Sequence, residues 1–338
     1  MRASLYSSTQ GGLEKNLFYT EDAAQPYRDT QSQQDDHVMV EVLSASINPI
    51  DYKATENPVF GTTIIRKPAS PGLDYCGRVK STGSLIDTLS VGELVYGRLT
   101  RPTQYGTLGQ YIIVDKEGCI PLPEGINPDH AATIGIAGES AYRSIVPNVK
   151  AGDRVFINGG SGGTGTFGIQ IAKLLGCHVT ASCSTGSIEL CKELGADEVI
   201  DYTKTDLVAE VMEIGRQYPW NLFVDDVGSP GDLYNNCHDF IVPSGKFVSL
   251  VSKTDVASIA SRTLPSFLGG GKRKHESVFV MLKANREDLV QLGRWMATGK
   301  IRAVIDSTYG LRDAADAYAK LRQGHTKGKI VVRVSAKQ

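Results

Sequence analysis

The stretch from Asp153 to Ser184 narrows the folds open to this chain more than any other. Val155, Phe156 and Ile157 make a short apolar run, Asn158 to Gly165 read N-G-G-S-G-G-T-G, and Ile169, Ile171, Ala172, Leu174 and Leu175 then recur at helical spacing. After Gly176 comes a second β-rich run, His178-Val179-Thr180-Ala181-Ser182. The order predicts strand, glycine turn, helix, strand. Such a crossover is the right length for a parallel pair of strands.

Within the turn, Gly160-Ser161-Gly162-Gly163-Thr164-Gly165 fits G-x-G-x-x-G and sits between a strand and a helix start. The first glycine allows a tight turn, the second lets backbone approach a pyrophosphate without an intervening Cβ, and the third lets helix and strand pack closely. The unpaired N–H groups of the helix start then face an anion. A surface loop of glycines would not need this context, so a dinucleotide is the stronger reading. No Gly-Lys-Ser/Thr follows, which disfavours a triphosphate loop. About 20 residues after such a turn an acid holds the ribose hydroxyls of NAD. Here the second strand ends Ser182-Cys183-Ser184-Thr185. Hydroxyls without a carboxylate suit a 2′-phosphate, so the expected coenzyme is NADPH, with Ser182 and Ser184 among its contacts.

At 338 residues the chain has room for two domains. Acids and bases nearly cancel, 37 against 36, which argues against nucleic acid or an anionic membrane as partner. Six scattered cysteines without a C-x-x-C pair read as reduced thiols. The first residues lack a signal-peptide core, acids arrive early at Glu14, Glu21 and Asp22, and no apolar run reaches membrane-spanning length. A cytoplasmic location is expected, with a small molecule as substrate.

Residues 1 to about 125 read as short strands separated by turns, among them Val38 to Leu43, Gly92 to Gly97 and Gly109 to Val114, which suggests a β-barrel-like domain. From Asn127 the pattern turns helical, with Asp129 as the expected cap. Beyond Ser184, helices over Ile188–Leu194 and Leu207–Tyr218 alternate with strands over Glu198–Tyr202, Asn221–Val227 and Gly245–Val251, as in a parallel sheet wound on both faces. A strand at Val278–Met281, helices over Glu287–Thr298 and Asp313–Gln323, and a terminal strand at Ile330–Val334 follow, the last expected to return to the first domain.

Several spaced motifs in a fixed order now carry a resemblance: Ala45 to Lys53 (A-S-I-N-P-I-D-Y-K), Pro71 to Gly77 (P-G-L-D-Y-C-G), Gly92 to Gly97, Ala137 to Tyr142 (A-G-E-S-A-Y), the glycine turn, Leu194 to Asp197, and Gly328 to Val331. The chain resembles the medium-chain dehydrogenase/reductase superfamily, in its zinc-independent quinone oxidoreductase and enoyl reductase branch. That resemblance implies an α/β fold: a GroES-like β-barrel domain from residues 1–126 and 277–338, and a Rossmann doubly wound parallel sheet domain from 127–276, with the active site in the cleft between. Zinc-dependent members carry a Cys and a Gly-His-Glu motif where this chain has Asn48 and Gly72-Leu73-Asp74, so no metal is expected. Without a Lewis acid, the easier reaction is hydride addition from NADPH to an activated C=C or a quinone, with a proton supplied separately.

The resemblance also places Asn48, Asp51 and Lys53 at the catalytic floor. Lys53 would donate to the developing enolate oxygen or to the ribose, or serve only as a surface lysine; Asn48 and Asp51 would act there or only tie their own loop. Ser140 matches a cofactor-bonding position and Tyr202 one beside the 2′-phosphate, with sheet-edge packing as its alternative. Val227, Val278, Phe279, Val280 and, more weakly, Lys329 complete the expected cofactor set. Ile188 departs from the pattern, since relatives often hold a Lys or Arg there. A homodimer through the edge of the nucleotide domain is expected by analogy, with Gly245–Val251 as the candidate edge. Two other functions stay open: a coenzyme-binding scaffold without turnover, and a trans-acting enoyl reductase of a polyketide pathway.

Overall fold

The computed structural model describes residues 1–26, 35–58, 61, 65–228, 231–250, 275–277 and 284–335. They fall into two compact units, Met1–Glu139 with Met281–Gln338, and Ser140–Val280.

The first unit opens with a small antiparallel pair, β1 (Ala3–Leu5) and β2 (Phe18–Thr20). Its main sheet is seven-stranded and built on β3 (His37–Ile47), β4 (Asp74–Thr82), β5 (Leu94–Arg98), β6 (Tyr111–Asp115) and β7 (Cys119–Pro121), joined by β14 (Ile305–Gly310) and β15 (Lys329–Arg333) from the far end of the chain. The order is β14-β15-β3-β4-β5-β7, with β6 also paired to β3. Along β3, Val38, Val40 and Val42 are fully buried while Met39 and Glu41 between them are not, the period-two signature of a half-buried strand. The expected return of the terminal strand is present: β15 runs antiparallel to β3, with Ile330 opposite Ile47 and Val331 opposite Ser46. Helix α1 (Pro49–Glu56) follows β3 directly, with Pro49 in its first turn, where a missing N–H leaves no bond unmade.

The second unit holds a six-stranded, wholly parallel sheet of β8 (Arg154–Asn158), β9 (His178–Cys183), β10 (Glu198–Asp201), β11 (Trp220–Asp225), β12 (Ile241–Ser249) and β13 (His275–Ser277). The order β10-β9-β8-β11-β12-β13 is 3-2-1-4-5-6 in sequence terms, the doubly wound arrangement that binds dinucleotides where the strand order reverses. Because β8 lies mid-sheet with both faces covered, Val155, Phe156 and Ile157 are all fully buried rather than alternating. An aromatic group locks β8, β11 and β12 together: Phe223 stacks on Phe156 at 4.5 Å and on Phe247 at 4.9 Å, and Trp220 meets Phe156 edge-on at 5.1 Å.

Three expectations need correction. Asn127, not Asp129, caps the short helix Pro128–Ala131, since its side chain accepts from Asp129 N at 2.9 Å. Asp129 turns inward instead, accepting from Ser44 Oγ and from Arg333 Nε and Nη2 at 3.0 and 2.7 Å. These bonds tie residues 128–139 to the sheet of the first unit, so the chain divides at 139/140 and not at 126/127. Finally, β12 is no edge: Phe247, Val248 and Ser249 pair with His275, Glu276 and Ser277, leaving β13 outermost among the described strands. The strand expected at Val278–Met281 lies outside the described residues.

Candidate functional site

In the second unit the glycine turn joins β8 to the long helix Gly163–Leu174. Gly160 N donates to Ser182 O at 2.8 Å and Gly159 N to Ser182 Oγ at 3.0 Å, so the turn is clamped to the end of β9. Ser182 Oγ in turn donates to Asn158 Oδ1 at 2.6 Å, and Asn158 Nδ2 donates to Asp225 Oδ1 at 2.9 Å. The Asp225 carboxylate also accepts from Val227 N and Gly228 N, at 3.2 and 3.1 Å. One polar chain thus crosses the carboxyl ends of β9, β8 and β11 and shapes the turn from below.

The glycines differ in what holds them. A Cβ on Gly165 would lie 2.2 Å from Gly159 O and 2.7 Å from Gly160 Cα, so close packing excludes any side chain there. A Cβ on Gly162 would meet only Gly159 O, at 3.4 Å, an ordinary contact. Nothing in the protein requires Gly162 to lack a side chain, yet it begins a twelve-residue helix that no side chain caps. Open space over uncapped helix N–H groups is what a pyrophosphate needs. A nicotinamide dinucleotide therefore fits the residues present, with Ser161, Gly162, Gly163 and Thr164 only partly buried around that space.

Ser182 requires correction as a coenzyme contact: it is fully buried and its hydroxyl serves Asn158 and Gly159. Ser184 is half-buried and Tyr202 is exposed, both at the strand ends where the 2′-position was expected. Beside them lies a carboxylate that spacing along the second strand did not reveal. Asp201 ends β10 opposite Cys183, and accepts from Thr185 Oγ1 and from Thr203 N and Oγ1. These bonds hold its carboxyl below the ordinary range. Val227 is exposed over Gly159, and Ser140 is buried, its carbonyl accepting from Ser144 Oγ at 2.7 Å. Val278, Phe279 and Val280 lie outside the described residues.

The first unit contains a second polar centre. Registers across β15, β3, β4 and β5 bring Lys329, Ser46, Asp74 and Arg98 onto neighbouring strands. Lys329 Nζ donates to Asn48 Oδ1 and to Ile47 O at 3.1 Å, and lies 3.6 Å from Asp74 Oδ2. Asp74 further accepts from Asn48 Nδ2 and Ile136 N, both at 2.8 Å. Asp51 Oδ2 accepts from Asn48 N at 2.7 Å and from Tyr318 Oη at 3.2 Å, while Asp51 Oδ1 is buried without a partner. All these side chains are closed to solvent, and the charges show it. Burial pushes the Asp51 carboxyl up to about 7 and raises Asp74 against the pull of Lys329, while burial lowers Lys329.

Lys329 is thus corrected from a coenzyme candidate to the buried cation of this centre, its donors spent within it. Asn48 and Asp51 are brought together, but as the frame that starts α1; Lys53 of that helix is exposed and stands apart from them. Where the zinc-dependent pattern has a Cys and a Gly-His-Glu, this chain has the Asn48 amide, the apolar Leu73 in the imidazole position, and Asp74, which lies 3.6 Å from the Lys329 ammonium, a donor set that does not fit a tetrahedral metal. Among the described residues no three His, Cys, Asp or Glu side chains gather in metal-binding geometry. Glu139, next to Ser140, is buried; its Oε2 accepts from Arg98 Nε at 2.5 Å and its Oε1 from Asn285 N at 2.9 Å.

Comparison with known proteins joins these two centres to a single lineage. Residues 34–124 match the alcohol dehydrogenase GroES-like domain family and residues 194–332 the zinc-binding dehydrogenase family. The chain is 43% identical to the trans-enoyl reductase pgmF of Aspergillus terreus, over 99% of this chain and 96% of that protein. It is 34% identical to a zinc-type alcohol dehydrogenase-like protein of Schizosaccharomyces pombe, over 88% of this chain and 86% of that one. The quinone oxidoreductase structure from Coxiella burnetii superposes with a TM-score of 0.83 at 26% identity, covering 99% of both chains.

Proposed function

The chain belongs to the medium-chain dehydrogenase/reductase superfamily, in its zinc-independent quinone oxidoreductase and enoyl reductase branch, and on that footing we propose that it transfers hydride from NADPH to an activated C=C or a quinone. The observation that carries this reading is the pairing of a 3-2-1-4-5-6 parallel sheet with a turn whose Gly162 leaves room over an uncapped helix start. When bound, the reduced nicotinamide supplies the hydride. The chain's own residues then have three tasks. The turn and helix N–H groups hold the pyrophosphate, Ser184 and Tyr202 receive the 2′-phosphate, and a donor neutralises the charge that lands on the acceptor oxygen.

Lys53 is the proposed donor, through Nζ, because it is the exposed titratable residue on the helix that Asn48 and Asp51 position. Support for NADPH over NADH is the lack of an acid at the end of β9. Asp201, kept ionised by Thr185 and Thr203, stands against this preference, since its charge opposes a phosphate. The kinship at 43% with a trans-enoyl reductase favours a narrower second reading, an enoyl thioester presented by a separate carrier.

The test is loss of reduced-nicotinamide absorbance with NADPH or NADH against enones, free enoyl thioesters, carrier-bound enoyl thioesters and quinones. Turnover faster with NADPH than with NADH supports the main reading. Turnover confined to carrier-bound substrate supports the second. Tight coenzyme binding with a silent panel would favour a scaffold without catalysis.

A further inference from the structure

We propose that Asp226 is a coenzyme-contacting residue: at the carboxyl ends of β8 and β11 its carboxyl group, in the acid form, donates a hydrogen bond to the pyrophosphate of the nicotinamide dinucleotide. This rests on the dinucleotide reading of the glycine turn and adds to it a residue that neither the turn motif nor the comparisons assign.

Strands β8 and β11 lie side by side, with Asn158 opposite Asp225. They are neighbours in the sheet but far apart in sequence, so the chain order reverses between them, and ligands of open α/β sheets bind outside the strand ends at that place. Asp226 is the first residue beyond β11 there. Its N–H donates to Asn158 O at 3.2 Å, which pins it to the residue just before the turn. Its Cβ would lie 3.8 Å from a Cβ built on Gly159, so the side chain runs beside the turn backbone.

The two adjacent acids have opposite fates. Asp225 Oδ1 takes up Asn158, Val227 and Gly228, which accounts for its place in the fold. Asp226 Oδ1 is closed to solvent and has no hydrogen-bond partner. Asp226 is partly buried, and a carboxyl oxygen closed off without a donor disfavours ionisation, which favours the protonated form. Burial, and then the neighbouring Asp225 charge, push its carboxyl well above the ordinary carboxylate range. Asp225 is the charged group that acts on it; from β8 and the turn it faces Asn158 and Gly159, which do not titrate. An ionised carboxylate would repel a diphosphate at this position, whereas a carboxylic acid can donate to it.

The experiment measures NADPH binding to the full chain by fluorescence from about pH 5 to about pH 9, a window that brackets documented raised carboxyl pKa values. Wild type, Asp226→Asn and Asp226→Ala are compared. Because the 2′-phosphate also titrates, near pH 6, the readout is the ratio of each variant's Kd to that of wild type. At low pH, Asp226→Asn is expected to match wild type, since an amide also donates, and Asp226→Ala to bind roughly tenfold more weakly, the loss of one hydrogen bond to a charged group. As pH rises and wild-type Asp226 ionises, wild type should weaken relative to Asp226→Asn by about tenfold or more, and the Asp226→Ala deficit should close. Kd ratios that do not change with pH, while wild type binds NADPH, overturn the role of Asp226 alone. No NADPH binding by wild type overturns the dinucleotide reading itself.

Discussion

The glycine turn and the buried charge centre represent opposite ways of building a polar site. The turn is made by consecutive residues from Asn158 to Gly165, closed by Ser182 and Asp225, and its polar groups are backbone amides left open at a helix start. The charge centre gathers Asn48, Asp51, Asp74, Tyr318 and Lys329, and the Lys329–Asn48 bond spans 281 positions of chain. In the first, unused hydrogen-bonding capacity is exposed for a ligand. In the second, nearly all such capacity is consumed internally, at the expense of burying charge. The comparison teaches that raised carboxyl groups can arise in two settings: Asp51 is enclosed within its own polar centre, whereas Asp226 lies beside the glycine turn.

The sharpest way to break this contrast is Lys329→Met. Removing the ammonium leaves Asp74 and the Asn48 amide oxygen buried and short of a donor, and a broken buried pair loses about 3–5 kcal/mol. Urea unfolding should show that loss, and the double variant Lys329→Met with Asp74→Asn should recover much of it. Wild-type stability in the single variant would mean that the centre does not hold the first unit together.

Next in size is the pH dependence contributed by Asp51. Its folded pKa of about 7 lies above the unfolded value of about 3.9, so the native state binds more protons between them. The stability Asp51 adds is complete below about pH 4 and is lost as pH rises towards about 7, a change on the order of a few kcal/mol. The Asp51→Asn variant should flatten that slope in denaturant titrations at several pH values. An unchanged slope would place the titrating proton elsewhere.

Smaller still is Gly162→Ala. Since its Cβ meets only an ordinary contact, unfolding should shift by no more than about 0.5 kcal/mol, while NADPH affinity falls roughly tenfold or more because the methyl enters the pyrophosphate space. Gly165→Ala provides the contrast, since its clash with Gly159 O and Gly160 Cα should lower stability and binding together. The least structural effect is expected from Lys53→Met, an exposed position, with stability within about 0.5 kcal/mol of wild type and the loss confined to turnover. Lowered stability without lowered turnover would remove Lys53 from the proposed mechanism.

The βαβ unit and the alternating strands of the second unit were legible in the order of residues, because each depends on periodicity and on glycine placement over short spans; the return of the terminal strand, also expected, pairs residues from opposite ends of the chain. Other features were not. Ser182 looked like a free hydroxyl in sequence, but strand pairing puts it under the turn, where its oxygen is used. Asp129 looked like a cap, yet β3 and β15 supply Ser44 and Arg333 to draw it inward. Gly245–Val251 looked like an edge until the short β13 paired outside it.

By itself the sequence determined the local chemistry of this protein: a glycine turn at a strand-to-helix junction, short strands in the first unit, and Asn48 and Leu73 where the zinc-dependent pattern carries its Cys and His. Tertiary structure alone decided which polar groups are already satisfied and which stay open. Whether a donor or acceptor is spent depends on the partner that strand register brings beside it, and those partners come from distant parts of the chain, as Lys329 does for Asn48.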